Sequence, residues 1–99
     1  MQKLEVKDLK KGEIYYTIYS HKRNPVIFNL KRDDSYDMVN YIYNCEKWYS
    51  NASLAHDENA KNNIVLASPS QIQWFNACKE ANCFIPLHKV INKIYELWI

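Results

Sequence analysis

A chain of 99 residues buries only about two-thirds of the surface its unfolded form exposes, so it cannot divide its core in two, and a single domain over 1–99 is expected. Hydrophobic residues make up 47% of it, which excludes the apolar-poor class that stays disordered. The formal net charge of +2 excludes a strongly acidic mimic of nucleic acid, and the single glycine excludes a glycine-rich phosphate loop.

In chain order, residues 4–12, LEVKDLKKG, read as a short strand or lead-in that turns at Gly12, where a positive φ costs no Cβ strain. Residues 13–20, EIYYTIYS, and 25–32, PVIFNLKR, are rich in β-branched and aromatic residues around the turn-prone HKRNP, which predicts a β-hairpin. Alternation puts Ile14, Tyr16 and Ile18 on one face of the first strand and Val26, Phe28 and Leu30 on one face of the second, and these six are expected to share the core side. Tyr15, Thr17 and Tyr19, beside Ile27, Asn29 and Lys31, are expected on the opposite side.

Residues 36–49, YDMVNYIYNCEKWY, predict a second hairpin turning at NCEK, with one long strand as the alternative. Residues 50–63 lack a period and read as a surface loop. NIVLA, 63–67, is an apolar run bounded by polar residues and reads as a buried strand.

Ser68, Pro69 and Gln71 form a helix start, with Ser at the cap, Pro at the first helical position and Gln closing a capping box. The helix should run from Pro69 to Asn82 with Ile72, Phe75, Cys78 and Ala81 or Asn82 inward and Trp74 at the edge. Pro86 opens a second helix whose apolar side follows Leu87, Val90, Ile91, Ile94 and Trp98, with His88 and Lys89 on the wet side. Strands first and helices last predict an α+β domain: a small curved antiparallel sheet of four or five strands, with closure into a barrel as an option, followed by two C-terminal helices.

Charge is unevenly distributed. Residues 1–32 sum to +5, 33–60 to −5 and 61–99 to +2, which gives a basic face and an acidic face if the blocks separate in space. No run reaches the roughly 18 apolar residues of a membrane helix, and the three cysteines form no disulfide framework. A cytoplasmic protein with reduced thiols is expected.

Catalysis has little support. Cys45, Cys78 and Cys83 coexist with His21, His56 and His88 without a local motif of nucleophile and base. The spacing of Cys78 and Cys83, with four residues between them, is at the wide end of what structural zinc sites use, and no fourth ligand, beyond the more distant His88, stands nearby. The pairs Asp33–Asp34 and Asp57–Glu58 sit in polar stretches that read as solvated turns. No cofactor, metal or small-molecule substrate is therefore expected. A small zinc- or Cys-dependent enzyme is the weakest alternative.

The constellation best suited to binding is the outward face of the first hairpin and its ends: Tyr15, Tyr19, Lys22, Arg23, Lys31 and Arg32. Aromatic rings stack on bases or fill partner pockets, and Lys and Arg neutralise phosphates, so the mixture suits single-stranded RNA or a nucleoprotein surface. Packing of Tyr15 as a second core and plain solvation of the basic residues are the competing explanations.

Residues 66–89, LASPSQIQWFNACKEANCFIPLHK, carry Ala67, Ser68, Pro69, Gln71, Trp74, Phe75, Cys78, Phe84 and Ile85 in a pattern A-(S/T)-P-x-(E/Q)-x-x-W-(L/F)-x-x-C followed by F-I. This element and the opening KLEVKDLKKGEIYY resemble small uncharacterised bacteriophage and prophage proteins over roughly half the chain. Gln71 stands where an acid is more usual, and 33–62 has no counterpart. The resemblance implies a phage origin and transfers no functional residue. It raises the expectation of a non-enzymatic inhibitor of a host defence machine, of which anti-CRISPR proteins are the best-known class. The expected partner is an RNA-guided nuclease, such as a type VI RNA-targeting effector, met through effector protein, guide RNA or both. A stand-alone single-stranded nucleic-acid-binding module is the alternative.

Overall fold

A computed structural model describes residues 3–19, 24–32, 38–53 and 63–90, with the side chains of Val6 and Tyr19 excepted. After a 3-10 turn at Val6–Asp8 come β1 (Ile14–Tyr19), β2 (Asn24–Leu30), β3 (Val39–Tyr43), β4 (Lys47–Ala52), β5 (Val65–Leu66) and α1 (Pro69–Ala81). Residues 87–90 are again helical. The five strands form one antiparallel sheet in the order β4-β3-β2-β1-β5. The α+β class and the order of strands before helices are as expected. Closure into a barrel is not: the sheet is open, with β4 and β5 at its two edges.

The second hairpin is two strands rather than one, because the chain reverses at Asn44 and Cys45, whose φ values are 53° and 55°. Two consecutive positive φ angles are what the tight hairpin turn matching strand twist demands. Glu46 N–H closes it on Tyr43 O at 3.1 Å. Ser50–Ala52, expected in a loop, instead belong to β4, where they continue the pairing with β3.

Register corrects the expected faces. Tyr15 pairs with Phe28 and Tyr16 with Ile27, and directly opposed residues share a face. Val26, Phe28 and Leu30 thus lie with Tyr15 and Thr17, while Ile14, Tyr16 and Ile18 lie with Ile27 and Asn29. Both faces are buried. One cluster joins Tyr15, Val26, Phe28, Leu30 and Val39 to Leu9 and Ile64. The other places α1 over the sheet, with Trp74, Phe75 and Cys78 against Ile14, Ile27 and Ile42. Alternation alone cannot assign faces across two strands when both sides are apolar, since a one-residue slip exchanges them.

The helix begins as its sequence dictates. Ser68 Oγ accepts from Gln71 N–H at 3.3 Å, and Gln71 Oε1 accepts from Ser68 N–H at 2.8 Å. It ends at Asn82, which takes the left-handed conformation, φ 51° and ψ 39°, in place of the usual glycine. Ala81 and Asn82 are exposed, contrary to the inward placement expected of one of them. Trp74, expected at the edge, is buried, and its Nε1–H donates to Ile85 O at 2.6 Å. Ile85 N–H donates to Cys78 Sγ at 3.3 Å, so the segment after α1 folds back on the helix. In the second helical segment Val90 is buried, as its period predicts, whereas Leu87 is exposed. Ile91, Ile94 and Trp98, expected on the same apolar side, lie outside the described residues.

Candidate functional site

The expected binding constellation divides. Tyr15 is a correction: it is 2% exposed, its ring meets Phe28 at a centroid distance of 5.7 Å, and its hydroxyl accepts from Lys10 N–H at 2.8 Å. A ring so placed supports the sheet and is not presented to a partner. Tyr19 ends β1, and its side chain lies outside the description, as do residues Lys22 and Arg23. Lys31 and Arg32 are exposed at the end of β2. Of the six acidic residues in the block 33–60, Glu46 is described and exposed, and the other five lie outside the described residues.

Lys31 does not stand alone. Gly12 has φ +86°, and its N–H donates to Leu30 O at 3.2 Å. That turn fixes Lys11 beside the strand end that carries Lys31, whose own N–H donates to Met38 O at 3.0 Å. From the other side α1 packs on β2 and β3 and brings Lys79 of its last turn. The three lysines border one cavity of about 380 Å³. Among the described residues no carboxylate lines it.

Two asparagines line the same cavity, directly opposed across β2 and β3. Both are buried, Asn29 at 4% and Asn40 at 3% exposure. Asn40 sits where the β3–β4 register shifts, a bulge with two residues of β4 facing one of β3. Its Oδ1 compensates by accepting from Asn51 N–H at 3.1 Å and Ser50 Oγ at 3.2 Å. Asn29 Oδ1, itself closed to solvent, has no such partner among the described residues. A buried carbonyl left without a donor is costly and calls for an explanation.

A second cavity, of about 310 Å³, lies between α1 and the β3–β4 turn and is lined by Tyr16, Ile27, Ile42, Cys45, Trp74 and Leu87, among others. Burial pushes the Tyr16 hydroxyl above its usual range, with the nearby Cys45 adding to the shift. Burial likewise raises the Cys45 thiol, helped by the neighbouring Glu46 charge, and the Cys78 thiol, against the opposing hydrogen bond from Ile85. Raised thiols are protonated at neutral pH, the opposite of what nucleophilic activation needs. Cys83 is exposed. Among the described residues no three of His, Cys, Asp and Glu converge on a point that could hold a metal ion, and no helix is long and apolar enough to cross a membrane.

No protein-family model, curated protein or solved structure matches the chain.

Lys11, Lys79, Asn29 and Asn40 escaped the sequence reading for different reasons. Lys79 is far from Lys31 along the chain and meets it only through the crossing of α1. The asparagines did carry a signal, since each stands two residues from an isoleucine on a core-facing strand position, Asn29 from Ile27 and Asn40 from Ile42. A short amide inside an apolar stripe has to find partners or serve a ligand.

Proposed function

We propose that this protein is a non-enzymatic, phage-derived binding protein that inhibits a host defence machine, with an RNA-guided nuclease as its target and a type VI RNA-targeting effector as the leading example. It acts by contacting the effector and its guide RNA rather than by imitating a target strand, for which its net charge of +2 is unsuited.

The observation that carries this is the convergence of Lys11, Lys31 and Lys79 on one cavity free of carboxylates among the described residues. Three lysines beside one concavity favour a multivalent anion, and a phosphodiester backbone is one that carries its charges close together. Two further points support it. The resemblance of residues 66–89 to phage proteins suggests the origin, and the raised, protonated thiols of Cys45 and Cys78 suit a structural role better than a chemical one.

The test is affinity capture from host lysate with the tagged protein, followed by mass spectrometry, paired with plating of a targeted phage on hosts that do or do not express the protein. Capture of an RNA-guided nuclease and restored plating are expected. Capture of no nuclease or other defence component would overturn the proposal. Capture of bulk RNA alone would favour the stand-alone nucleic-acid-binding module.

A further inference from the structure

The end of α1 brings two of the three cysteines together. Cys83 N–H donates to Cys78 O at 3.2 Å and Asn82 N–H to Lys79 O at 3.2 Å, around the left-handed Asn82. This pair of bonds is the Schellman ending of a helix, which sets a residue of the last helical turn beside the second residue past the end, commonly in side-chain contact. Cysteine holds both of those places, as Cys78 and Cys83. A carbonyl-to-amide bond of that length keeps their Cα atoms within about 7 Å, the reach of a disulfide. The next turn of chain tightens the arrangement, because Ile85 N–H donates to Cys78 Sγ at 3.3 Å. Residues 83–85 thus run along Cys78 from its carbonyl to its sulfur.

The two thiols differ in access. Cys83 is exposed, whereas Cys78 is fully buried. Burial raises the Cys78 thiol against the hydrogen bond from Ile85, and the nearby Cys83 adds a smaller push. A reagent in solution therefore meets Cys83 first. An enclosed, protonated thiol reacts slowly with anything dilute, but a tethered neighbour presents itself at an effective concentration in the mM range or above.

We infer that Cys78 and Cys83 are a thiol–disulfide pair, in which Cys83 is the entry thiol for a small oxidised disulfide such as glutathione disulfide and Cys78 is the resolving thiol. The Cys83 thiolate attacks one glutathione sulfur, forms a mixed disulfide and releases one glutathione thiolate. The Cys78 thiolate then attacks the Cys83 sulfur and releases the second. Two protein thiols are oxidised, one glutathione disulfide is reduced, and the two departing thiolates take up the two protons. Closure draws the Cys78 sulfur away from Ile85 N–H. The ring so formed contains Asn82, whose Oδ1 accepts from Trp48 Nε1 at 3.1 Å, so oxidation makes covalent the corner where α1 is tied to β4. Cys45, on the turn between β3 and β4, takes no part. The inference stands independently of the proposed function.

The experiment equilibrates the folded chain with mixtures of reduced and oxidised glutathione at about pH 8, quenches with acid and an alkylating agent, and digests with trypsin without reduction. Cleavage after Lys79 separates the two cysteines, so the bond reads out as residues 62–79 joined to residues 80–89. That joined pair is expected as the main oxidised product. It should form at a glutathione ratio about tenfold more reducing in the folded chain than in urea, because the helix ending holds the two residues together. Cys83→Ser should leave the buried Cys78 unmodified. The titration uses the unaltered protein and stands whether or not the variant folds. A lasting glutathione adduct on Cys83 with Cys78 free, or a bond that forms no more readily in the folded chain than in urea, would overturn the inference.

Discussion

Replacement of Asn29 by leucine tests what the buried amide oxygen costs the fold. Leucine is close to asparagine in shape and puts methyl groups where the amide stands. Next to it on the same face are Ile14, its cross-strand partner, and Ile27. Removing a buried carbonyl without a donor recovers about 1–3 kcal/mol, and the lower half of that range applies because polar side chains border the cavity. Loss of any bond made by the amide nitrogen costs about 1 kcal/mol, and added apolar burial together with better strand propensity offsets it. The net is a gain of about 1 kcal/mol, which for a domain of this size raises Tm by about 4–8 °C. Thermal unfolding followed by circular dichroism, with urea titration as a check that the m-value is unchanged, measures it. An unchanged or lower Tm would refute the view that the Asn29 oxygen is held at a cost to stability.

Asn82 ends α1 and also accepts from Trp48 Nε1 at 3.1 Å; Asn82→Ala loses both the left-handed tolerance and the bond, about 1.5–2 kcal/mol, and Asn82→Gly loses the bond alone, about 0.5–1 kcal/mol, an order that urea unfolding can reverse if the cap is unimportant. Cys45 occupies a left-handed position at φ 55°, so Cys45→Gly should stabilise by about 0.5–1 kcal/mol after the extra entropy of glycine in the unfolded chain is subtracted; a lower Tm would contradict this. The Cys45 and Cys78 thiols and the Tyr16 and Tyr41 hydroxyls are all raised, mainly by burial. The unfolded chain releases these protons first, so stability is fully present below the ordinary thiol range and declines as pH climbs through it; Tm recorded from about pH 7 to about pH 10 should fall at the alkaline end, chiefly through the buried Cys78, and a flat profile would count against its burial.

Local chemistry was legible in the sequence wherever it acts locally. The capping box at Ser68 and Gln71, the turn at Gly12 and the break between β3 and β4 follow from residues within a few positions of each other. Cross-strand facts were not. Alternation gave two faces per strand but could not pair them, because Tyr15 and Ile14 are both apolar enough to bury and both faces of this sheet are covered. Tyr15 was therefore expected on the binding surface and lies in the core. The candidate site was half visible: Lys31 belonged to the basic hairpin, whereas Lys11 reaches it through the Gly12 turn and Lys79 through the packing of α1 on β2 and β3. Helix-on-sheet packing sets that meeting, and no short stretch of sequence encodes it.

The claim that the lysine-bordered cavity holds an RNA backbone is tested most directly by the salt dependence of oligouridylate binding to the unaltered protein and to the Lys11→Ala, Lys31→Ala, Lys79→Ala triple variant. Each phosphate neutralised on a single strand contributes about −0.7 to the slope of log K against log salt. Three contacts predict a slope of about −2 that collapses toward zero in a triple variant whose circular dichroism spectrum is unchanged. A slope unaffected by the triple substitution would place the RNA elsewhere on the protein and contradict the account.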